Sequence, residues 1–333
     1  REMVEMGWAG IAIPEAYGGL GYGYTGLGVV LQEIGRQLSP SPMQGSVLLG
    51  ATALMTLGDE ASRSAWLPKI AAGEAQVAFA HQETSRFDPL AVATSARRDG
   101  DGWVLSGSKR LVVDALSADA FLVIARSAGA AGESAGLSAF LVPAATAGLV
   151  VTRSDMVDSR QYGSLALDDL RLPASALMGE AGEAWPALER CLDIAAIGFA
   201  AELLGLSLEA FERTMAYLRE RKQFGRVIGS FQGLQHRAAM LFAELELARS
   251  IVLKALHAID DDSDDLSLIA SAAKAKLCEV AQLASNEGIQ MHGGIGMTDE
   301  YDIGFFLKRA RVLQHLAGDQ YYHLDRFAKL GGF

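Results

Sequence analysis

Apolar positions change period twice along this chain. Up to residue 76 they recur at spacings of three and four, which predicts short helices over 27–38, 47–57 and 65–72. A glycine-rich stretch over 14–28 and the breaker Ser39-Pro-Ser-Pro42 separate them. Gly73-Glu-Ala-Gln76 then turns the chain into a different regime. Runs at 77–80, 92–97, 103–105, 121–125, 139–142, 149–152 and 163–167 alternate or are continuously apolar, as strands are. Asp99-Gly-Asp-Gly102 is a hairpin signal between two of them, and 128–136 reads as a flexible linker. From 183 onward the helical period returns, over 184–221, 230–259, 266–289 and 302–330. The expectation is an α+β multidomain chain: a helical region 1–76, a β-domain 77–182 and a four-helix bundle 183–333.

The bundle helices carry apolar residues on more than one face, for example Leu241, Phe242 and Leu245 with Ile251, Val252, Leu253 and Leu256. A helix that is apolar on several sides needs neighbours, so a dimer or tetramer built through the bundle is expected.

Composition narrows the function. Half of the 333 residues are hydrophobic and the net charge is −11, which argues against nucleic acid or an anionic membrane as partner. An acidic protein that binds an anion must gather its positive charge locally. Cys191 and Cys278 lie in helical patterns and read as buried free thiols, without metal-ligand spacing. No apolar run reaches spanning length and no signal peptide is visible, so the chain reads as cytoplasmic. It starts inside a helical pattern, and an N-terminal end is expected to be missing.

Two stretches stand out as candidate chemistry. Tyr217-Leu-Arg-Glu-Arg-Lys-Gln-Phe-Gly225 ends a long helical pattern, with Gly225 as the expected helix stop. Arg221 and Phe224 would then sit at a helix end, a phosphate-binding fork beside a flat ring. Gln290-Met-His-Gly-Gly-Ile-Gly-Met297 follows another helix, and its glycines let backbone approach a ligand. Taken singly, the first stretch reads rather as a surface Arg and a core Phe closing an ordinary helical hairpin.

Together these stretches resemble the acyl-CoA dehydrogenase family, and the resemblance runs from Gly7-Trp-Ala-Gly-Ile-Ala-Ile-Pro-Glu-Ala-Tyr-Gly-Gly-Leu-Gly21 to the last helix. It implies FAD as cofactor, an acyl-CoA substrate, the three-region fold above and an acceptor such as an electron-transfer flavoprotein. It also implies that Arg221, Phe224, Gln232, Gln290, Gly293 and Gly294 reach the diphosphate and adenine side of a neighbouring subunit's FAD. The family's reaction needs a carboxylate to take the proton beside the thioester, hydrogen bonds to its carbonyl, and a flavin held flat to accept a hydride.

Measured against that pattern, the chain departs where its own chemistry should lie. The first flavin-holding turn reads His81-Gln-Glu-Thr-Ser-Arg-Phe-Asp88, one residue short, with Gln82 where a threonine is usual and only Glu83 and Asp88 fitting well. The second reads Leu111-Val-Val-Asp114, with Leu111 for a tryptophan and Val113 for a hydroxyl that could donate a hydrogen bond. The base position before the last helix holds Ala317, and the alternative positions on the first bundle helix hold Ala195 and Ala196. The nearest carboxylate is Asp319, readable as a relocated catalytic base or, in the favoured reading, as a helix cap. His81 could contact a ligand but reads as structural, His292 lies inside the glycine turn at a position where the family varies, and His236, His257, His315 and His323 read as helix-surface or interface residues.

Residues lent to a neighbour are kept and residues for the chain's own chemistry are lost. Such a chain is similar to the small subunits of two-gene enzymes, such as pimeloyl-CoA dehydrogenases and steroid side-chain acyl-CoA dehydrogenases. The expectation is an acyl-CoA dehydrogenase subunit in a tetramer with a catalytic paralogue. The alternatives are a self-sufficient homo-oligomeric dehydrogenase using Asp319, and a non-catalytic acyl-CoA-binding or scaffold protein.

Overall fold

The structure, a computed structural model, describes residues 2–333. The chain forms two compact units. One holds the chain up to Leu27 together with Ser41–Ala195, and the other holds Gly28–Pro40 with Ala196–Phe333.

The first unit begins with α1 (Glu2–Glu5) and the glycine-rich loop, and contains the first turn of α2 (Gly23–Gln37). A buried π-helix, Met43–Ala51, runs directly into α3 (Thr52–Leu57), followed by α4 (Glu60–Ala71). These helices start earlier than the apolar spacing indicated. The first turn of α4 is polar, and it is set by its cap: the Asp59 carboxylate accepts from the Ser62 N–H at 2.8 Å.

The β-domain is an eight-stranded sheet of β1 (Val77–Ala80), β2 (Ser95–Asp99), β3 (Gly102–Val113), β4 (Ala120–Arg126), β5 (Leu137–Pro143), β6 (Leu149–Ser154), β7 (Tyr162–Leu172) and β8 (Leu177–Met178). Its order is β6-β7-β3-β2-β4-β5-β8, with β1 pairing β4 in parallel. The core side carries Phe121, Val123, Phe140, Val142, Leu165 and Leu170, and Trp103 packs edge-on against Phe140 at 5.2 Å. The Asp99–Gly102 hairpin forms as expected.

Two expectations in this region are corrected. The strand placed over 92–97 begins only at Ser95, because the N–H groups of Ala93 and Thr94 donate to the Glu83 carboxylate instead of to a neighbouring strand. The 128–136 segment is not a free linker. The buried Arg126 guanidinium donates to the carbonyls of Glu133 and Ala135, each at 2.8 Å, and to Val92 at 3.0 Å.

The second unit contains most of α5 (Trp185–Glu220), a two-stranded ribbon of β9 (Lys222–Gln223) and β10 (Arg226–Val227), then α6 (Gln232–Asp260), α7 (Leu266–His292), α8 (Ile303–His315) and α9 (Gln320–Leu330). Gly35 of α2 and Gly205 of α5 allow their backbones to touch. A Cβ at Gly35 would strike the Glu202 carbonyl, and one at Gly205 the Gln32 carbonyl. Buried Glu202 pairs with Arg309 of α8 at 2.8 Å. Among the described residues, α5 is the one helix long and apolar enough to cross a membrane, and 94% of its apolar window is buried inside the protein.

The segment over 302–330, a single helix by its apolar spacing, is two helices, parted at the 316–319 turn that the family resemblance implied. The chain leaves helical geometry at Leu316, and Ala317 and Gly318 follow with φ of 53° and 99°. Apolar spacing continues across this break, so periodicity alone did not reveal it.

Candidate functional site

Gly225 does not end α5. The helix stops at Glu220, and residues 222–227 fold back as a hairpin whose turn is Phe224-Gly225, with φ of 53° and 79°. A two-residue turn with positive φ at both positions matches the twist of the ribbon it joins. Phe224 is thereby lifted onto the tip, 90% exposed. Its ring meets Phe231 edge-on at 6.1 Å. Arg221 is exposed at the base of the ribbon, where its carbonyl accepts from the Ile228 N–H at 2.8 Å. Among the described residues, its guanidinium has no ion pair. Gln232 is exposed at the start of α6.

The glycine turn follows α7. Gln290 is exposed in its last turn, and Gly293 leaves the helix with φ 67° and ψ −140°. A Cβ at Gly293 or Gly294 would meet nothing, so the turn offers open backbone. The two stretches are joined by an aromatic stack. His292 lies on Tyr217 with ring centroids 4.4 Å apart and touches Tyr301 at 4.6 Å. Its Nδ1 lies 2.6 Å from the Gly288 carbonyl and therefore donates to it. Burial holds this imidazole below its usual pKa.

The segment beginning at His81 is tied to its own domain. Gln82 spends its side-chain amide on the Thr84 carbonyl at 3.0 Å, and its own carbonyl accepts from Arg110 N at 2.7 Å. Glu83 accepts from Ala93 N, Thr94 N and the buried Lys109 ammonium, the last at 2.6 Å. Burial alone would raise the Glu83 pKa, yet Lys109 and these hydrogen bonds hold it below the usual carboxylate value. Burial pulls Lys109 down to about 8 against the pull of Glu83, so at neutral pH the two form an ion pair. His81 is buried and bonded to the Pro89 carbonyl at 2.9 Å. Asp88 caps Leu90 N at 3.0 Å. Val113 ends β3 opposite Tyr162, 5% exposed, a buried hydrocarbon. Leu111 stands in a β-bulge with φ 51°.

In the 316–319 turn the Asp319 carboxylate accepts from Tyr322 N at 2.9 Å and caps α9. Ala317 carries no acid. Ala195 and Ala196 are buried in α5. Beneath the turn, buried Lys274 donates to the carbonyls of Gly318 at 2.7 Å and Gln314 at 3.2 Å. His323 bonds the Ala317 carbonyl at 2.8 Å. It is 1% exposed, which corrects its assignment as a surface or interface residue. Cys278 lies 3.5 Å from the Lys274 ammonium, and both cysteines are buried free thiols, as expected.

The residues on the hairpin and glycine turn suit the nucleotide half of FAD: an unpaired exposed cation, an exposed ring and open glycine backbone. The side chains of Gln82 and Val113 offer a flavin ring no free hydroxyl. Sequence reading missed Lys109, Arg126 and Lys274. Arg126 and Lys274 sit in otherwise apolar patterns, where a lone cation is the signal that was available; Lys109 lies in the polar run Ser106-Gly-Ser-Lys-Arg110, which gives no such signal.

Comparison with known proteins follows the same three regions. Sequence models of the acyl-CoA dehydrogenase N-terminal, middle and C-terminal domains match residues 1–74, 78–170 and 182–330. A probable acyl-CoA dehydrogenase of Bacillus subtilis, YngJ, is 32% identical over 94% of this chain and 84% of its own. The structure of a steroid acyl-CoA dehydrogenase, the Tcur3481-Tcur3483 G363A variant, is similar with a TM-score of 0.88 and 33% identity, covering 99% of this chain and 87% of that one. The ChsE4-ChsE5 complex from Mycobacterium tuberculosis is similar with a TM-score of 0.90 and 25% identity, covering 100% of this chain and 87% of that one.

Proposed function

The chain belongs to the acyl-CoA dehydrogenase family, and on that premise we propose that it is the non-abstracting subunit of an FAD-dependent acyl-CoA dehydrogenase. It lends its hairpin and glycine turn to the FAD of a neighbouring, paralogous subunit. FAD held there would supply the acceptor for the hydride that leaves the β-carbon of the acyl-CoA. The proton from the α-carbon goes to a carboxylate of the paralogue, and the reduced assembly passes its electrons to an acceptor such as an electron-transfer flavoprotein.

One observation carries this reading. The turn before α9, where the family places its base, has Ala317 and an Asp319 whose carboxylate is committed to capping Tyr322 N. By contrast, Arg221 and Phe224 stand exposed. Support for a paralogous partner comes from two similar structures, the Tcur3481-Tcur3483 steroid acyl-CoA dehydrogenase and the ChsE4-ChsE5 complex, each named for two proteins. The exposed apolar residues Met240, Phe242, Leu247 and Leu253 of α6 offer a surface for assembly. The apolar stretch of α5 is buried inside the protein, which supports its reading as a core helix and not a membrane span.

The test is ferrocenium-linked oxidation of a panel of acyl-CoA esters by the chain alone and co-purified with its candidate paralogue, with flavin content measured in each. Turnover is expected only from the co-purified assembly. In that assembly Arg221→Ala should weaken FAD binding by about tenfold or more. Robust turnover by the lone chain, abolished by Asp319→Asn, would establish the self-sufficient enzyme instead. Light scattering at micromolar concentration should give a dimer or tetramer.

A further inference from the structure

The register of the hairpin places a second guanidinium beside Arg221. Lys222 pairs with Val227 and Gln223 with Arg226, and the Ile228 N–H bond to the Arg221 carbonyl extends the ribbon by one more pair. Side chains alternate between the faces of a ribbon, and directly paired residues share a face. Arg221, Gln223 and Arg226 therefore lie on one face, with Lys222 and Val227 on the other. From Arg221 to Arg226 is one diagonal step on that face, within reach for two long side chains converging on one ligand.

Arg226 is also braced. Its guanidinium carbon lies 4.1 Å from the centroid of the Phe231 ring, a cation–π distance, and the same ring packs edge-on against Phe224. The arm is thus held before any ligand arrives. Two guanidiniums on one face repel each other, and among the described residues neither has an ion pair, in a chain with 40 acidic residues available to supply one. Such a face is completed by an anion with two charged groups, and guanidinium forks suit phosphate oxygens.

We infer that Arg226 is a second diphosphate-binding residue, acting with Arg221 from the same face of the hairpin and held in place by Phe231. This rests on the reading that the hairpin serves a dinucleotide. Each guanidinium takes one phosphate, while Phe224 at the tip is left to the nucleoside.

The experiment uses the assembly in which FAD binds, stripped of flavin and titrated with FAD by fluorescence, with ADP and adenosine as competitors. Arg226→Ala is expected to weaken FAD and ADP by about tenfold while leaving adenosine unchanged. Arg226→Lys, which keeps the charge but loses the fork, should fall between the two. Phe231→Leu should weaken ADP by a smaller factor through loss of the brace. Arg226 is exposed, so the apo melting temperature should hold; Arg226→Gln gives the same readout if the alanine variant folds poorly. If Arg221→Ala weakens ADP and Arg226→Ala does not, the inference fails and the functional reading stands. An equal loss for adenosine also overturns it, by moving the contact to the nucleoside. If neither substitution changes FAD binding, the hairpin does not serve a dinucleotide and the functional reading itself falls.

Discussion

The buried ammonium of Lys274 on α7 donates to the carbonyl of Gly318 at 2.7 Å, tying one bundle helix to the turn between two others. It also takes the Gln314 carbonyl, and so holds a turn in which two successive residues have positive φ. Burial lowers the Lys274 pKa, yet with these carbonyls arranged around it the charge is satisfied. In Lys274→Met the aliphatic volume remains, but the Gly318 carbonyl loses the ammonium and the Gln314 carbonyl keeps only the weak Cys278 thiol. A buried acceptor left unpaired costs about 1–3 kcal/mol. The melting temperature should fall by several degrees, with new proteolytic cleavage near 316–319. An unchanged melting temperature would mean that the turn keeps its shape without the lysine.

Asp319 separates cap from base. Asn caps a helix about as well as Asp, whereas Ala costs roughly 1 kcal/mol. Asp319→Asn should therefore preserve both stability and the turnover of the assembly, and Asp319→Ala should lower stability alone. Loss of turnover of about a hundredfold in the Asn variant, with fold and flavin retained, would make Asp319 the base.

Phe224 holds a backbone conformation that costs a non-glycine residue roughly 1–2 kcal/mol, and its ring contacts little else in the chain. Phe224→Gly should leave the apo protein as stable or more so, while weakening FAD binding severalfold. A variant that loses stability and keeps its flavin affinity would show the ring to be a packing element.

Acid should destabilise the protein through two buried histidines. Burial, aided by repulsion from Lys109, lowers His81 to about 4, and burial, aided by Lys274, lowers His323 to about 3. Both values lie below that of the unfolded chain, so from about pH 6.5 down to about 4 unfolding takes up protons. Stability is then fully present above about pH 6.5 and is lost as pH falls, by about 1.4 kcal/mol per pH unit for each histidine. Melting temperature measured from pH 7.5 to 4.5 should fall. The slope should be shallower in His81→Asn and His323→Asn, each compared with its own value at pH 7.5. A parallel slope in either variant would remove that histidine from the account.

By itself the sequence determined the three regimes of the chain, the long helices of the bundle, the Asp99–Gly102 hairpin and the two stretches that carry the family resemblance. These are legible because burial has a period, 3.6 on a helix and 2 on a strand, and because glycine marks backbone that side chains cannot follow. Only the tertiary structure decided where hydrogen bonds went when partners lay far apart in sequence. Residues 92–94 have the composition of a strand, but the Glu83 carboxylate takes their N–H groups. The 128–136 segment has the composition of a loose linker, but Arg126 takes its carbonyls. The turn at 316–319 was implied by the resemblance although apolar spacing continues across it, but the buried Lys274 and His323 that bind its carbonyls were not. The hairpin reads as a helix stop until its strands pair. In all of these but the exposed hairpin the deciding force is the need to satisfy a buried polar group, and that need is met by neighbours that apolar spacing does not encode.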